Sequence, residues 1–112
     1  MKKIEAIIRP ERVHAVTKSL EEKGYLGLTL TDVKGRGRQK GITLQWKAGD
    51  YQVDMLPKVK IETVVEASKV KEVIETIVKS AETGRVGDGK IFVSPVEEVI
   101  RVRTGEQGRK AL

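Results

Sequence analysis

Pro57-Lys-Val-Lys-Ile-Glu-Thr-Val-Val65, followed closely by Val70-Lys-Glu-Val-Ile-Glu-Thr-Ile-Val-Lys-Ser-Ala81, decides the fold. In the first stretch Val59, Ile61, Thr63 and Val65 alternate with Lys58, Lys60, Glu62 and Val64. A period of two puts one set on a core face and the other on the opposite face of a strand. In the second stretch Val70, Val73, Ile74, Ile77, Val78 and Ala81 follow helical spacing and form one apolar stripe. Gly84 is the stop signal. Residues 85 to 89 make a glycine-bearing loop, and Lys90 to Ser94 reads as the next strand. This is one βαβ unit.

The N-terminal half repeats the order. Ile4, Ala6 and Ile8 alternate with Glu5 and Arg9, predicting a strand over residues 2 to 9. Pro10 suits a helix start, Val13, Val16 and Leu20 fall at helical spacing, and Gly24 ends the run. Tyr25 to Val33 reads as a second strand. Residues 35 to 50 hold four glycines, many charges and no steady period, so they read as a long loop, a length usually reserved for function. Residues 97 to 103 read as a short fifth strand, with Ile100 and Val102 facing the core and Arg101 and Arg103 projecting together from the other side. Two βαβ units in tandem predict an α+β fold: a ferredoxin-like βαββαβ antiparallel sheet with two helices on one face. Nothing in so short a chain remains to cover the other face. That face carries Ile7, Val33 and Val64, so an oligomer is expected.

The chain has 112 residues, one domain's worth, and a formal net charge of +6. Such a charge points to an anionic partner. Basic residues gather at Lys34 to Lys40, Lys58 to Lys60, Arg85 to Lys90 and Arg101 to Arg103, a site built from several loops and strands. There is no cysteine, which excludes disulfides and thiolate metal sites. His14 stands alone as the single histidine and reads as a surface residue, so His-based catalysis is poorly supported. No apolar run approaches the roughly 18 residues of a membrane span. The expectation is a cytoplasmic protein without direct membrane insertion.

Gly84-Arg-Val-Gly-Asp-Gly-Lys90 fits the first part of a P-loop pattern, but Ile91 stands where Ser or Thr would hold magnesium, and a helix precedes it where a strand should. The chemistry still applies: glycines let backbone N–H groups approach a phosphate, and a lysine adds a point charge. An ordinary helix-to-strand turn with a surface lysine fits the same residues equally well. Arg101 and Arg103 suit a polyphosphate. A solvated charged face is the commoner meaning of such a pair.

Thr83-Gly-Arg-Val-Gly-Asp-Gly-Lys-Ile-Phe-Val-Ser-Pro-Val96 resembles the C-terminal signature of the PII nitrogen-regulatory signalling proteins. Leu56 to Glu62, Val33-Lys-Gly-Arg-Gly-Arg-Gln-Lys-Gly41 and Ile100 to Gly105 resemble that family too, in the same order and spacing. The resemblance implies a homotrimer and no enzymatic activity, with ATP or ADP bound in clefts between subunits. It implies a ligand-contacting segment at Gly37, Arg38, Gln39, Lys40 and Gly41. Thr29 and Val64 would lie near the base, Gly87, Asp88, Gly89 and Lys90 would wrap the phosphates, and Arg38, Arg101 and Arg103 would meet them as cations. Lys58 would hold the carboxylate of 2-oxoglutarate, Glu62 would line the cleft, and Gln39 would reach a Mg ion bridging ATP and 2-oxoglutarate. The same resemblance implies one domain over residues 1–112, with a partner-binding T-loop at about 37–55 and a tail at about 104–112. The target would be an ammonium transporter or an enzyme of nitrogen metabolism. Where the family usually has Tyr-Arg-Gly-Ala-Glu-Tyr, this chain has Trp46-Lys-Ala-Gly-Asp-Tyr51. Tyr51 is kept as a possible modification site with altered neighbours, and Lys47 replaces an arginine.

Two other readings share the topology. An RNA-binding module of RRM-like topology needs aromatics on the central strands, and the chain has a single Phe at position 92. An acylphosphatase-like enzyme is expected to use an Asn to position water, and the chain has none. No nucleic-acid partner is therefore expected.

Overall fold

The computed structural model describes residues 1–37, 42–46, 49–53 and 55–112, and only the backbone of the segments 42–46 and 49–53. Strand β1 (Lys2–Ile8) leads through a 3₁₀ turn at Pro10–Arg12 into helix α1 (Val13–Glu22). Strand β2 (Thr29–Gly35), strands β3 (Ile42–Trp46) and β4 (Gly49–Val53), and the ten-residue strand β5 (Leu56–Val65) follow. A second 3₁₀ turn, Ala67–Lys69, opens helix α2 (Val70–Ala81), and strand β6 (Gly89–Pro95) closes the sheet. The main sheet has the order β2-β5-β1-β6 with every pair antiparallel. This is the ferredoxin-like order expected from two βαβ units.

The alternation in β1 and β5 does what their sequences require. Ile4, Ala6 and Ile8 from β1 and Val59, Ile61 and Val65 from β5 are buried against Val16 and Leu20 of α1 and Val73, Ile77 and Ala81 of α2. Each fully buried branched side chain contributes about 1.5–3 kcal/mol. The core is accordingly aliphatic. Within the α2 stripe, Val78 turns out 46% exposed, and Thr76 is buried in its stead, its hydroxyl donating to the Glu72 carbonyl at 2.7 Å. Arg12 ties the two helices by donating to the Ser80 carbonyl from Nε (3.1 Å) and Nη2 (2.6 Å), which satisfies one of α2's C-terminal carbonyls.

The face away from the helices is ordered in rows by the strand register. One row runs Thr31, Lys60, Ile7, Lys90; the next runs Thr29, Glu62, Glu5, Phe92. Ile7, Val33 and Val64 lie on this side and are half-buried, as expected of a face the chain leaves uncovered. Its charges pair along the strands, Lys3 with Glu5 at 3.0 Å and Lys60 with Glu62 at 3.3 Å.

Two expectations are corrected. The stretch 35–50 is not one aperiodic loop: β2 runs on to Gly35, and β3 and β4 pair as an antiparallel hairpin from Ile42↔Val53 to Trp46↔Gly49. Ile42, Leu44 and Trp46 alternate with Thr43 and Gln45, which is a strand pattern half hidden among glycines and charges. Nor do residues 97–103 form a strand. Ile100 makes an isolated bridge to Gln107, and the chain then doubles back on itself: the Arg101 amide donates to the Glu106 carbonyl (2.9 Å) and the Gly105 amide to the Arg101 carbonyl (2.7 Å). With no neighbouring strand among the described residues, Ile100 is 54% and Val102 100% exposed, so neither enters the core, and Arg101 and Arg103 do not stand side by side on a strand. Among the described residues, no helix is long and apolar enough to cross a membrane.

Candidate anion-binding loop

The loop between α2 and β6 is built around one carboxylate. Asp88 Oδ2 accepts the backbone N–H groups of Thr83 (2.7 Å) and Gly84 (2.9 Å), and Oδ1 accepts the Thr83 hydroxyl and Arg9 Nε (3.0 Å). Arg9 also donates from Nη2 to the Val86 carbonyl at 2.7 Å. Donation from the Thr83 hydroxyl, its amide and the Arg9 guanidinium, in that order of weight, holds the Asp88 carboxyl well below the usual carboxylate range. A group whose folded-state pKa is depressed contributes stability above its unfolded value, about 3.9, and loses it as pH falls toward the folded value. Thermal unfolding followed by circular dichroism should therefore show the unaltered protein losing stability below about pH 4 relative to Asp88→Asn, with the gap between them widest at neutral pH.

Glycines allow the loop its close approaches. Gly87 adopts φ +97°, and a side chain there would meet Arg9 Nη2 at 3.3 Å. Gly89 adopts φ +112° where β6 begins beside Ile8, and a Cβ would fall 1.8 Å from the Ile7 carbonyl oxygen. Lys58, from the start of β5, reaches across and donates to the Gly87 carbonyl at 2.6 Å. Burial first, then the neighbouring Arg9 charge, lowers the Lys58 pKa from its ordinary value. Two cationic side chains thus converge on one glycine turn. The next residue on β6, Lys90, is exposed and shares a row with Lys60 across Ile7. A groove of about 360 Å³ runs beside Lys58, lined by Pro10, Asp32, Val33, Lys34, Pro57 and Val59.

The sequence-predicted residues fall into groups. Lys58, Gly87, Asp88, Gly89 and Lys90 come together at the loop. Thr29 and Glu62 are cross-strand partners farther along the uncovered face, with Val64 beyond them on β5. Gly37 is exposed beyond the end of β2. Arg101 is half-buried and donates to the Leu112 carbonyl at 3.1 Å, and Arg103 is exposed in the turn that follows. Arg38, Gln39, Lys40 and Gly41 lie outside the described residues, and Tyr51 is described only as backbone of β4, opposite Leu44. Arg9 and Thr83 hold the loop, a role that neither the β1 alternation nor Thr83's place at the head of the glycine-rich signature announces. Arg9's place at the end of the β1 alternation gives no sign of a partner 79 positions away.

The ferredoxin-like fold and the sequence as a whole are matched by known proteins. The family model described as nitrogen regulatory protein P-II matches residues 1–106. The chain belongs to the P-II family. It is 58% identical over 112 residues to nitrogen regulatory protein P-II 2 of Methanothermobacter thermautotrophicus, covering all of this chain and 97% of that one. It is 57% identical, over the full length of both chains, to nitrogen regulatory protein P-II of Azospirillum brasilense. Among solved structures it is similar to Arabidopsis thaliana PII bound to citrate, with a TM-score of 0.82, 46% identity, and 99% of this chain and 91% of that chain covered. These P-II relatives are named as regulatory proteins. The RNA-binding reading finds no support: on the central strands, the uncovered face presents Lys3, Glu5, Ile7, Lys58, Lys60, Glu62 and Val64, without the aromatic platform that base stacking requires.

Proposed function

We propose that this P-II chain is a non-enzymatic sensor that assembles as a homotrimer and binds ATP or ADP in the cleft between neighbouring copies. One observation carries the reading: the 83–89 turn is braced by Asp88 and Arg9 and flanked by Lys58 and Lys90. Glycine amides and fixed cations at one edge are what a phosphate chain needs. The single-chain groove beside Lys58 is near the lower end of ligand-pocket volumes. A second copy supplying the other wall would make it a full cleft.

In that cleft Gly87, Gly89 and Lys90 wrap the phosphates, Arg38, Arg101 and Arg103 add cations, and Thr29, Val64 and Glu62 line the wall toward the base. Gly37, Lys40 and Gly41 are further ligand contacts. Lys58, already bound to an oxygen of Gly87, is the cation for a second anion such as the carboxylate of 2-oxoglutarate. The solved relative bound to citrate supports small carboxylate ligands on this fold. Among the described residues no cluster of three His, Cys, Asp or Glu could hold a metal alone. Gln39 would be the residue of this chain that reaches Mg.

The domain spans residues 1–112, with the segment 37–55 as the partner-binding T-loop and 104–112 as the tail. ATP with Mg and 2-oxoglutarate favours one T-loop conformation and ADP another, because each ligand touches the base of the loop differently. The loop acts in the cytoplasm on an ammonium transporter or an enzyme of nitrogen metabolism, and Tyr51 is the residue open to modification.

Calorimetric titration with ATP, ADP and 2-oxoglutarate, with and without Mg, beside a mass measurement in solution, tests this. The expected result is a three-copy mass and one nucleotide per chain. A monomer indifferent to adenine nucleotides overturns it. Lys90→Ala and Arg103→Ala should each weaken ATP binding by at least about 1 kcal/mol, roughly fivefold, since each removes a charge-assisted contact. Unchanged affinity in both would mean that the cleft lies elsewhere.

A further inference from the structure

We infer that Arg9 is a positioning residue, which shapes the 83–89 turn through Asp88 before any ligand arrives. The inference rests on the proposal that this turn receives the phosphates, and it changes the part played by Asp88. All the hydrogen bonds of the Asp88 carboxylate point inward: Oδ1 takes Arg9 Nε and the Thr83 hydroxyl, and Oδ2 takes the Thr83 and Gly84 amides. A carboxylate so engaged is turned away from a phosphate, which its own charge would repel. Asp88 is therefore a brace for the turn and not a ligand contact.

Arg9 suits the second half of the brace. Its side chain is 18% exposed, it extends from the end of β1, and it grips the turn at two points. Nε donates to Asp88 at 3.0 Å, and Nη2 donates to the Val86 carbonyl at 2.7 Å. Two parallel donors from one planar group fix an orientation as well as a distance, which a lysine cannot do. The Val86 contact matters separately. It draws one carbonyl toward β1, and Lys58 holds the next, that of Gly87, at 2.6 Å. The Thr83 and Gly84 amides are taken by Asp88 and the Arg85 amide by the Thr83 hydroxyl. With both carbonyl oxygens turned to side-chain cations, it is the amides of residues 86–88 that this bracing offers to a phosphate. Positioning of this kind improves binding because the turn does not have to be ordered when the ligand arrives.

The experiment compares the full-length protein with Arg9→Ala, Arg9→Lys and Asp88→Ala, and with the Arg9→Ala/Asp88→Ala pair. Two quantities are read: amide hydrogen exchange of residues 84–89 without nucleotide, and ATP affinity by calorimetry. Arg9→Ala should speed exchange in the turn and weaken ATP binding about tenfold, the scale of a lost hydrogen bond to a charged group. The double variant should lose little more than Asp88→Ala alone, since the two residues act as one unit. Arg9→Lys keeps the charge and should recover less than half of the lost affinity on a logarithmic scale. Full recovery by lysine, additive losses in the double variant, or unchanged exchange would each overturn the inference. Should Arg9→Ala fail to assemble, Arg9→Lys and Asp88→Ala carry the same comparison. Absence of ATP binding by the unaltered protein is a different result: it brings down the functional reading on which this one stands.

Discussion

Gly89→Ala should destabilise the folded chain by about 3 kcal/mol or more and lower its melting temperature by roughly ten degrees or more. Two costs combine. The backbone at Gly89 has φ +112°, which L side chains rarely adopt, and a Cβ there would sit 1.8 Å from the Ile7 carbonyl oxygen, with Ile8 Cα at 3.2 Å. The first cost is about 1–2 kcal/mol for any non-glycine residue at positive φ. The second cannot be relieved by turning a flexible side chain, because the obstructing atoms are backbone of a central strand. Either β6 lifts away from β1 at the Ile8↔Gly89 end of the ladder, or the 83–89 turn is remade. Gly24→Ala is the matched control. Its φ of +91° carries similar strain, yet nothing lies within 4 Å of the added carbon, so the loss should stay near about 1 kcal/mol. Thermal unfolding of both variants at one protein concentration separates the two costs. Equal melting temperatures would contradict the close approach of β1 and β6.

The sheet and helices were legible because their signals are local. Val59, Ile61 and Val65 alternate within β5, Val73, Ile77 and Ala81 repeat within α2, and glycines at 24 and 84 mark where helices stop. Burial followed those periods closely. Failures came where the outcome depends on a partner distant in sequence. Residues 97–103 alternate well enough to be a strand, but a strand exists only if a neighbour takes its hydrogen bonds, and among the described residues none does so beyond the bridge at Ile100. The β3–β4 hairpin was missed for the opposite reason, its alternation being obscured by charged and glycine-rich flanks.

The site divides along the same line. Gly87, Gly89, Lys90 and Lys58 stand out as small residues and cations of the kind phosphate chemistry requires. An ordinary turn and a solvated charged face fit the same pattern, and it is the resemblance to the P-II family that singles them out. What holds them has no such signal. Arg9 meets Asp88 across 79 residues and Lys58 meets Gly87 across 29, contacts set by the register of β1 with β5 and β6 and not by any spacing in the chain. The functional expectation from Arg101 and Arg103 likewise rested on a strand this chain does not form alone. In the proposed trimer these two arginines sit on a segment whose apolar neighbours, Ile100 and Val102, are largely uncovered by their own chain.

Ile7→Lys should break the proposed trimer into single chains. Ile7 lies at the middle of the uncovered face, on a central strand, in the row Thr31, Lys60, Ile7, Lys90. Its two cross-strand neighbours in that row are already lysines. A third ammonium group between them costs about 0.2–1 kcal/mol through like-charge opposition on the sheet alone. The larger penalty arises on assembly. The nearby cations Lys3 and Lys60 are matched by Glu5 and Glu62, so the face reaches its partners with those charges paired. Glu5 and Glu62, the carboxylates of its own central strands on this face, are already engaged, and burying an added lysine without a partner costs several kcal/mol. Cyclic symmetry repeats that cost in every copy, whereas the isolated chain leaves the same ammonium in water. Light scattering at micromolar concentration should then return the 12.4 kDa of one chain where the unaltered protein gives a three-copy mass. Ile7→Val, which keeps the face apolar, should stay assembled. Circular dichroism should show Ile7→Lys retaining its secondary structure, because the aliphatic core lies on the other side of the sheet. If Ile7→Lys assembles as the unaltered protein does, this face is not where the copies meet, and a cleft formed between them would have to be built from the β6 edge and the 97–103 segment instead.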